Sequence, residues 1–461
     1  MRVPTYQIPQ GTQLPSFRKH LNADNLFDEI RSEFAKIEDP RPGKTTISLV
    51  DALMSGFAVF SLKDPALLAF DKRRTEGDPN LESVYGIGQA PSDTQMRDIL
   101  DLVDPVQFHE AFNRVFALLQ RGKALEQMRF LDQYYLISCD GTGFYYSLKV
   151  GNEVCLRKKV GDNPEKAYHQ QFYGASLVHP DFREVIPFCP EPIVKQDGES
   201  KNDCEQSAAK RFMEGFRKDH PHLKAVILED ALHSKAPHIR DLLAHNLHFI
   251  IGAKESDHAY LYRKAFEREQ AGRSMNIIID DPDDPKKRHN FFFVNGVPLN
   301  KSNQDVVVNF LEYWEITLDD HGNEIKEKEK HFGWVTDLEI TEDNVYEIMR
   351  AGRSRWKIEN ETFNALKNLG YHLDHNYGLG KKHLSQVFMS LTMLAFMVDQ
   401  VQQLCCGLFR AAWKKSGSKR ALWENMRSIY KMMDLDSMET LLKLLAFGFK
   451  KPEAATLLNT S

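Results

Sequence analysis

Hydrophobic periodicity changes character near residue 131 of the chain. Before that point, apolar residues recur with a helical period in 45–62 and 92–120, and Ser92 is a candidate N-cap. Residues 70–93 are rich in Gly, Pro, Asp and charge, which favours a loop. After that point, aromatic and β-branched runs broken by Gly and Pro indicate three or four antiparallel strands. The pattern therefore predicts an all-α N-terminal module followed by a sheet.

The middle of the chain alternates strand and helix patterns. A helical stretch at 203–220 precedes a strand, a helix and a strand between 223 and 254, which indicates a mixed α/β sheet. Helical periodicity returns at Thr341 and stops at Gly370. A chain of 461 residues exceeds the size of one growing core, so several modules are expected. They are a helical module (1–130), the first part of an α/β domain (131–254), a β-rich insertion (255–335), the second part of that domain (336–408) and a basic helical segment (409–461).

The composition is that of a folded protein in a reducing compartment. With 42% apolar and 27% charged residues, wholesale disorder is excluded, and a net charge of -5 excludes a uniformly basic nucleic-acid coat. Six cysteines without a CxxC pair favour the cytoplasm. The apolar stretch 384–398 is too short to span a bilayer of roughly 30 Å. It therefore predicts a buried core helix, and no membrane association is expected.

Three acidic residues stand where a sheet and a helix could present them together. Asp140 ends an apolar strand before Gly141, and Asp230 follows the strand pattern 223–229, so two strands that are not neighbours would present acids to one point. Glu359 lies in the late helical stretch 354–370. Mg²⁺ prefers such oxygen ligands, and two metals bound by shared carboxylates suit phosphodiester cleavage. Taken singly, an Asp after a strand is usually an ordinary turn residue, and a Glu on a helix is usually a solvated one.

At these residues the chain resembles the DDE transposases of bacterial insertion sequences, in the group with a Tyr-Arg-Glu-Lys signature. The strings that carry the resemblance are CDGTGFYYS, KNDCEQSAAKR, LEDALHSKAP, HFIIGAKESDH and RWKIENETFNALKNLGYHLDHNYGLGKKH, in family order from about 131 to 400. The resemblance implies a ribonuclease-H-like catalytic domain with a β-rich insertion. It also implies Mg²⁺, with Mn²⁺ as a substitute, double-stranded DNA at the element ends and target, and a homodimer in the DNA complex. Asp140, Asp230 and Glu359 would be the catalytic, metal-binding triad.

The signature is matched with two departures. Gly352 stands where the family has its Tyr, and the signature Lys corresponds to Lys367, eight residues after Glu359 instead of seven. This slip makes Glu361 a rival acid. At about 100° per residue of α-helix, Glu359 lies about 40° from Arg355 and Glu361 about 120° away, which favours Glu359.

The resemblance also implies the residues that would contact DNA. Arg355 and Lys367 would hold phosphates, the first through its planar fork and the second as a point charge. Trp356 would stack on an extruded base, although such a Trp is also typical of a core.

Other functions remain open at the level of sequence. A catalytically idle DNA-binding protein derived from a transposase would keep the same motifs, and a ribonuclease-H-like nuclease without strand transfer would share the triad. The N-terminal helices suit either DNA-end recognition or a packing and dimerisation bundle. Residues 410–451 carry ten Lys and Arg against four acids, which fits phosphate contact, pairing of two protomers or an ordinary charged surface.

Overall fold

A computed structural model describes residues 20–152, 154–160, 163–193, 205–281 and 283–448. The ends of the first and last expected modules, 1–19 and 449–461, lie outside the described residues. What is described is a mixed α/β structure built on one eleven-stranded sheet, with helices before, between and after the strands. The expectation of a mixed α/β fold is confirmed at this level.

The N-terminal region is helical between 23 and 128. Ser92 is the N-cap of α5, as its sequence predicts, and it forms a capping box with Gln95. The loop expected over 70–93 is wrong, because most of it forms α3 and α4. Gly77 and Gly86 end these two helices in the left-handed conformation, so the glycines are helix terminators here and not loop residues. The helices are α1 Ala23–Phe34, α2 Leu49–Ser61, α3 Leu67–Glu76, α4 Asn80–Tyr85, α5 Asp93–Leu100 and α6 His109–Arg121, with 3₁₀ turns at Pro105–Phe108 and Ala124–Met128.

The sheet begins with an antiparallel group and continues through two parallel strands. The group consists of β1 Tyr135–Ser147, β2 Leu156–Val160, β3 Asn163–His179, β4 Phe182–Pro187 and β5 Glu191–Ile193. After α7 Glu205–Asp219 come β6 Ala225–Glu229, a 3₁₀ turn Ala231–His233, α8 Ala236–Ala244 and β7 His248–Gly252, which confirms the expected strand-helix-strand unit. β6 runs parallel to both β1 and β7, and β3 runs antiparallel to β1.

The segment expected to be a β-rich insertion opens with a helix. α9 Glu255–Gln270 precedes β8 Met275–Asp280, β9 Lys287–Asn300, β10 Asn303–Thr317 and β11 Lys330–Thr336. The apolar residues of α9 are sparse, which is why its pattern did not predict a helix. The four strands extend the same sheet, because β11 pairs with β7, in the order β2-β3-β1-β6-β7-β11-β10-β9-β8.

The helical region after the sheet is interrupted where a continuous helix was expected over 354–370. α10 Val345–Arg353 ends in a turn, a π-helical turn Ile358–Phe363 follows, and α11 Asn364–Asn368 precedes Gly370, whose φ of +96° stops the helix as predicted. The last helices are α12 Leu384–Cys405, α13 Gly407–Ser416, α14 Lys419–Met432 and α15 Met438–Phe447.

Helix α12 is the central helix of the core. The expectation that its apolar stretch is too short to span a bilayer is wrong, because the helix continues to Cys405 and is long and apolar enough to cross a membrane. Its most apolar window is wholly buried within the protein, as expected of a core helix. One ion pair joins it to the N-terminal helices: Lys63, which follows α2, pairs with Asp399, and both side chains are buried. The Lys63 ammonium also lies 3.9 Å from the centre of the Trp423 ring on α14. The first and last helices of the chain therefore pack on the same core as the sheet.

Candidate active site

Asp140 and Asp230 both lie just beyond the parallel ladder that joins two neighbouring strands. The parallel ladder between β1 and β6 ends with Ser138 opposite Leu228, so each acid comes two residues beyond the last pair. The expectation that their strands are not neighbours is therefore wrong. Because parallel strands end at the same edge of a sheet, this register brings the two carboxylates to one level.

Asp140 does not end its strand as expected. β1 continues to Ser147, since Asp140 and the residues after it still pair with β3. Beyond Ser138, β1 pairs with β3 on one side and no longer pairs with β6 on the other. Asp140 therefore lies just past the end of the parallel ladder. The acid is therefore held by rigid strand backbone on one side and faces an open edge on the other.

The carboxyl of Asp140 is crowded by other acids. Burial raises its pKa, and Glu205 and Glu359 raise it further, while Arg355 and the Gly141 amide oppose them, with a net value of about 7. The Gly141 amide donates to Oδ1 at 2.8 Å. Near neutral pH the Asp140 carboxyl is therefore only partly ionised.

The turn that follows β6 stabilises the ionised form of the Asp230 carboxyl. The Leu232 amide donates to its Oδ1 at 2.9 Å, and Nδ1 of His233 lies 3.4 Å from the same oxygen. The hydrogen bond from His233 is the largest cause of a lowered Asp230 pKa. Asp230 therefore stays ionised where Asp140 is drawn towards its neutral form.

His233 supplies a positive charge beside Asp230. Burial works against its charged form, but Glu229, Asp230 and Glu205 outweigh burial and raise its pKa to about 9. Glu229 beneath it is fully enclosed and accepts hydrogen bonds at 2.5 Å from the Tyr173 hydroxyl and from Nε2 of His238. This buried network orients the Asp230 side of the site.

Arg355 links Glu359 to Asp140. Nη1 of Arg355 lies 3.4 Å from Oδ2 of Asp140 and 2.7 Å from Oε1 of Glu359. The backbone of Arg355 is itself anchored, because the Ser138 hydroxyl donates to its carbonyl at 2.7 Å. Glu361 faces another way and accepts from Nε of Arg183 at 3.1 Å. Of the two rival acids, Glu359 is the one that the fold brings beside Asp140.

A π-helical turn lies between Glu359 and Lys367, which are eight residues apart. A π turn closes an i→i+5 hydrogen bond and so carries about one residue more than an α turn. The π-helical turn therefore accommodates one more residue between Glu359 and Lys367 than an α-helical turn would. Leu366, at the seven-residue spacing, is fully buried, whereas Nζ of Lys367 donates to the Thr142 hydroxyl at 3.1 Å, two residues beyond Asp140.

Trp356 stands on an open cleft beside Asp230. Its side chain is 47% exposed and is therefore not part of the core. The cleft has a volume of about 400 Å³, and Asp230, Arg355, Gly252 and Trp334 contribute to its lining. The Trp356 ring and the Arg355 guanidinium therefore border the same cleft as Asp230.

Gly352 on α10 packs directly against a Trp from the sheet. A Cβ atom on Gly352 would lie 2.6 Å from Cε2 of Trp334, which projects from β11. The indole of Trp334 thus occupies the space next to the α10 backbone. Only Gly fits at 352 while this Trp keeps its place.

Two residues of the site were not singled out from sequence. Glu205 at the start of α7 lies against Gly141, and His233 follows Asp230 in the same turn. Both belong to strings that carry the family resemblance, KNDCEQSAAKR and LEDALHSKAP, but no local pattern distinguishes them from solvated residues. In the described parts of the chain, no group of three or more His, Cys, Asp and Glu is arranged to hold a metal ion. Nη1 of Arg355 contacts both Asp140 and Glu359.

Fold and site together define a mixed α/β protein with acids gathered at the carboxyl edge of its parallel strands. The family model of the transposase DDE domain matches residues 158–397, just over half of the chain. The chain therefore belongs to the DDE transposase family. The match includes Asp230 and Glu359, whereas Asp140 lies before its first residue. No curated protein matches the chain.

Proposed function

We propose that this transposase cuts DNA at the ends of an insertion sequence and joins the freed 3′ ends to target DNA. Asp140, Asp230 and Glu359 are the proposed catalytic residues. The observation that carries the proposal is the equal register of Asp140 and Asp230 on neighbouring strands, with Arg355 linking Asp140 to Glu359. The strand order β4-β3-β1-β6-β7, with β3 antiparallel, supports a ribonuclease-H-like domain for the same reaction.

The donor set fits divalent cations. Carboxylate oxygens are the ligands that Mg²⁺ and Mn²⁺ prefer. Burial, with the neighbouring Glu205 and Glu359, raises the Asp140 pKa to about 7, and an added cation would favour the ionised carboxylate. Asp140, Asp230 and Glu359 would hold the ions once Arg355 withdraws from between them. Two Mg²⁺ ions, when bound, supply activation of the attacking oxygen and stabilisation of the leaving oxygen.

The chain's own residues would orient DNA for that reaction. Arg355, released from the acids, would clamp a phosphate through two parallel hydrogen bonds, and Lys367 would attract a second phosphate next to Thr142. Water would attack the phosphodiester first and leave a 3′-hydroxyl, which would then attack the target strand. Trp356, half exposed beside Asp230, would stack on a base extruded near the cut.

Several finer statements belong to the same proposal. The spacing of Arg355, Glu359 and Lys367 supports the Tyr-Arg-Glu-Lys group, with Gly352 in place of the Tyr. The protein would act as a homodimer on double-stranded DNA in the cytoplasm. We retain the division into modules that the sequence predicts. The N-terminal helices would bind the DNA ends, and the basic residues after 409 would contact phosphate or pair two protomers.

A joining assay tests the proposal. Full-length protein is incubated with Mg²⁺, a pre-cleaved end duplex with a free 3′-hydroxyl and a target plasmid, and products are separated on a gel. We expect a joined product that disappears with Asp140→Ala, Asp230→Ala or Glu359→Ala, while Glu361→Gln serves as the matched control. DNA binding of the three alanine variants should persist, because the carboxylates repel phosphate.

The other candidate functions predict different outcomes of this assay. Cleavage without joining under Mg²⁺ or Mn²⁺ would favour the nuclease, and binding without either reaction would favour the idle derivative. A folded Asp140→Ala variant that still cut end DNA at the normal rate would remove Asp140 from the site.

A further inference from the structure

The last strand of the sheet presents an open edge. β8 ends the strand order and, among the described strands, pairs with β9 alone. Its register with β9 runs without a bulge from Met275 opposite Phe293 to Asp280 opposite Arg288. A bulge, a proline or a lysine commonly protects such an edge from pairing with another chain. The sequence of β8, MNIIID, contains no proline or lysine, so its outer edge is free to accept a further strand.

The side chains of β8 suit strand pairing. Three consecutive isoleucines form its centre, and β-branched residues favour the pleated surface of a sheet. Ile277 and Ile279 pack against the core from the edge, while Ile278 on the other face is 65% exposed. An exposed edge strand of this composition is a pairing site for another strand.

The hydrogen bonds to β9 determine which backbone groups of β8 point outward. The amide of Asp281, directly after β8, donates to the Lys287 carbonyl at 3.1 Å and continues the register of the two strands. Because an antiparallel ladder alternates, the odd-numbered residues of β8 direct their N–H and C=O groups towards β9. Those of Asn276, Ile278 and Asp280 point away from it. Two copies of this edge can therefore pair only with even-numbered residues opposite even-numbered residues.

We propose that β8 pairs with β8 of a second copy of this chain, antiparallel and about a two-fold axis through Ile277. This register satisfies the backbone rule and places Asn276 of each copy opposite Ile278 of the other. It also places the exposed Arg273 opposite Asp281 of the other copy, and by symmetry this pair of opposite charges occurs twice. The edge is thus complementary to itself in backbone pattern and in charge, which favours a second copy over an unrelated strand.

The proposed contact is short and needs no DNA. Six residues span about 20 Å of strand, which is small for a protein interface, so we expect a weak dimer that depends on protein concentration. At the axis, Ile277 would meet its own copy and extend the apolar row that begins with Phe291 on β9. This inference goes beyond the proposed function, because the contact forms without DNA and involves no catalytic residue.

Sedimentation velocity of the full-length protein in chelator, without DNA, measures the dimer over a wide range of concentration. Ile278→Pro removes the outward N–H of residue 278 and leaves the hydrogen bonds to β9 in place. We expect it to raise the dimer dissociation constant at least about tenfold, because symmetry removes two backbone hydrogen bonds at once. The matched control Ile278→Thr keeps this N–H and should dimerise like wild type. Melting temperatures show whether each variant is folded.

Disulfide formation between copies tests the register. Ile277→Cys would place two thiols at the axis, with Cα atoms about 4.5 Å apart, which is within the range of a disulfide. Asn276→Cys is the matched control, because its two copies would be about 8 Å apart, too far for a disulfide. Under mild oxidation, a non-reducing gel should show a covalent dimer for Ile277→Cys and none for Asn276→Cys. Wild type should also give none, since its described free cysteines are all buried.

The alternative outcomes would overturn the inference in distinguishable ways. A monomer at every concentration would exclude the contact, and so would a dimer that is equally stable in folded Ile278→Pro and Ile278→Thr. A dimer that appears only with end DNA and is unaffected by Ile278→Pro would retain the homodimer of the proposed function and exclude β8 from it. If Ile278→Pro does not fold, the cysteine variants decide, and equal cross-linking of the two would refute the proposed pairing.

Discussion

Replacing Asp140 by Asn should stabilise the metal-free protein above neutral pH while abolishing cleavage. The ionised carboxylate is destabilised by burial and by the nearby Glu205 and Glu359, and only Arg355 and the Gly141 amide offset this. Asn removes the charge and keeps an oxygen that accepts from the Gly141 amide. Arg355 retains Glu359 as its partner at 2.7 Å.

The size of the effect follows from the shifted pKa. A carboxyl with a pKa of about 7 in the folded protein and 3.8 unfolded costs up to about 4 kcal/mol once it is ionised. The Asp140 side chain is 22% exposed, so solvent screening reduces the expected cost to about 2 kcal/mol. Because the folded-state pKa is raised, Asp140 does not lower the free energy of unfolding below the unfolded pKa of 3.8. The free energy of unfolding falls as the pH rises from there through about 7, where the carboxyl ionises in the folded protein.

Urea unfolding in the presence of chelator measures this cost. Wild type, Asp140→Asn and the control Glu361→Gln are compared between pH 4.5 and pH 8. At pH 8 the Asn variant should be more stable than wild type by about 2 kcal/mol, and this gain should shrink as pH falls towards 4. The reasoning would be refuted if Asp140→Asn were less stable than wild type at pH 8, or if the difference did not change with pH.

Three further predictions follow from contacts in the structure. Glu359→Gln should lose cleavage of end DNA and Glu361→Gln should keep most of it, and the reverse result would make Glu361 the catalytic acid. Lys367→Ala should weaken binding to all end sequences and reduce the log-log salt slope by about one unit, measured by fluorescence anisotropy; an unchanged slope would exclude a phosphate contact. Lys63→Met should lower the free energy of unfolding by about 3–5 kcal/mol, because it leaves a buried carboxylate unpaired, whereas Arg240→Met at an exposed ion pair should cost less than about 1 kcal/mol. Equal urea midpoints for the two variants would contradict this.

The element types around the site could be predicted from the sequence because they depend on local patterns. The buried strand before Asp230, the helix that follows and the capping box at Ser92 each follow from residues a few positions apart. Local sequence signals of this kind fail where the same residues are compatible with two different structures. Gly and Pro between 70 and 93 predicted a loop, yet the same residues also end and begin the helices α3 and α4.

The sequence by itself determined that Asp230 follows a buried strand and that Arg355 and Glu359 are four residues apart in a helical segment. Only the tertiary structure decided that β1 and β6 are neighbours in equal register, that a π-helical turn returns Lys367 to Thr142, and that Glu205 reaches Gly141 from a separate helix. The physical reason is the range of the interactions. Periodicity and capping act within a few residues, whereas register and helix placement are set by packing between segments that lie tens to hundreds of residues apart.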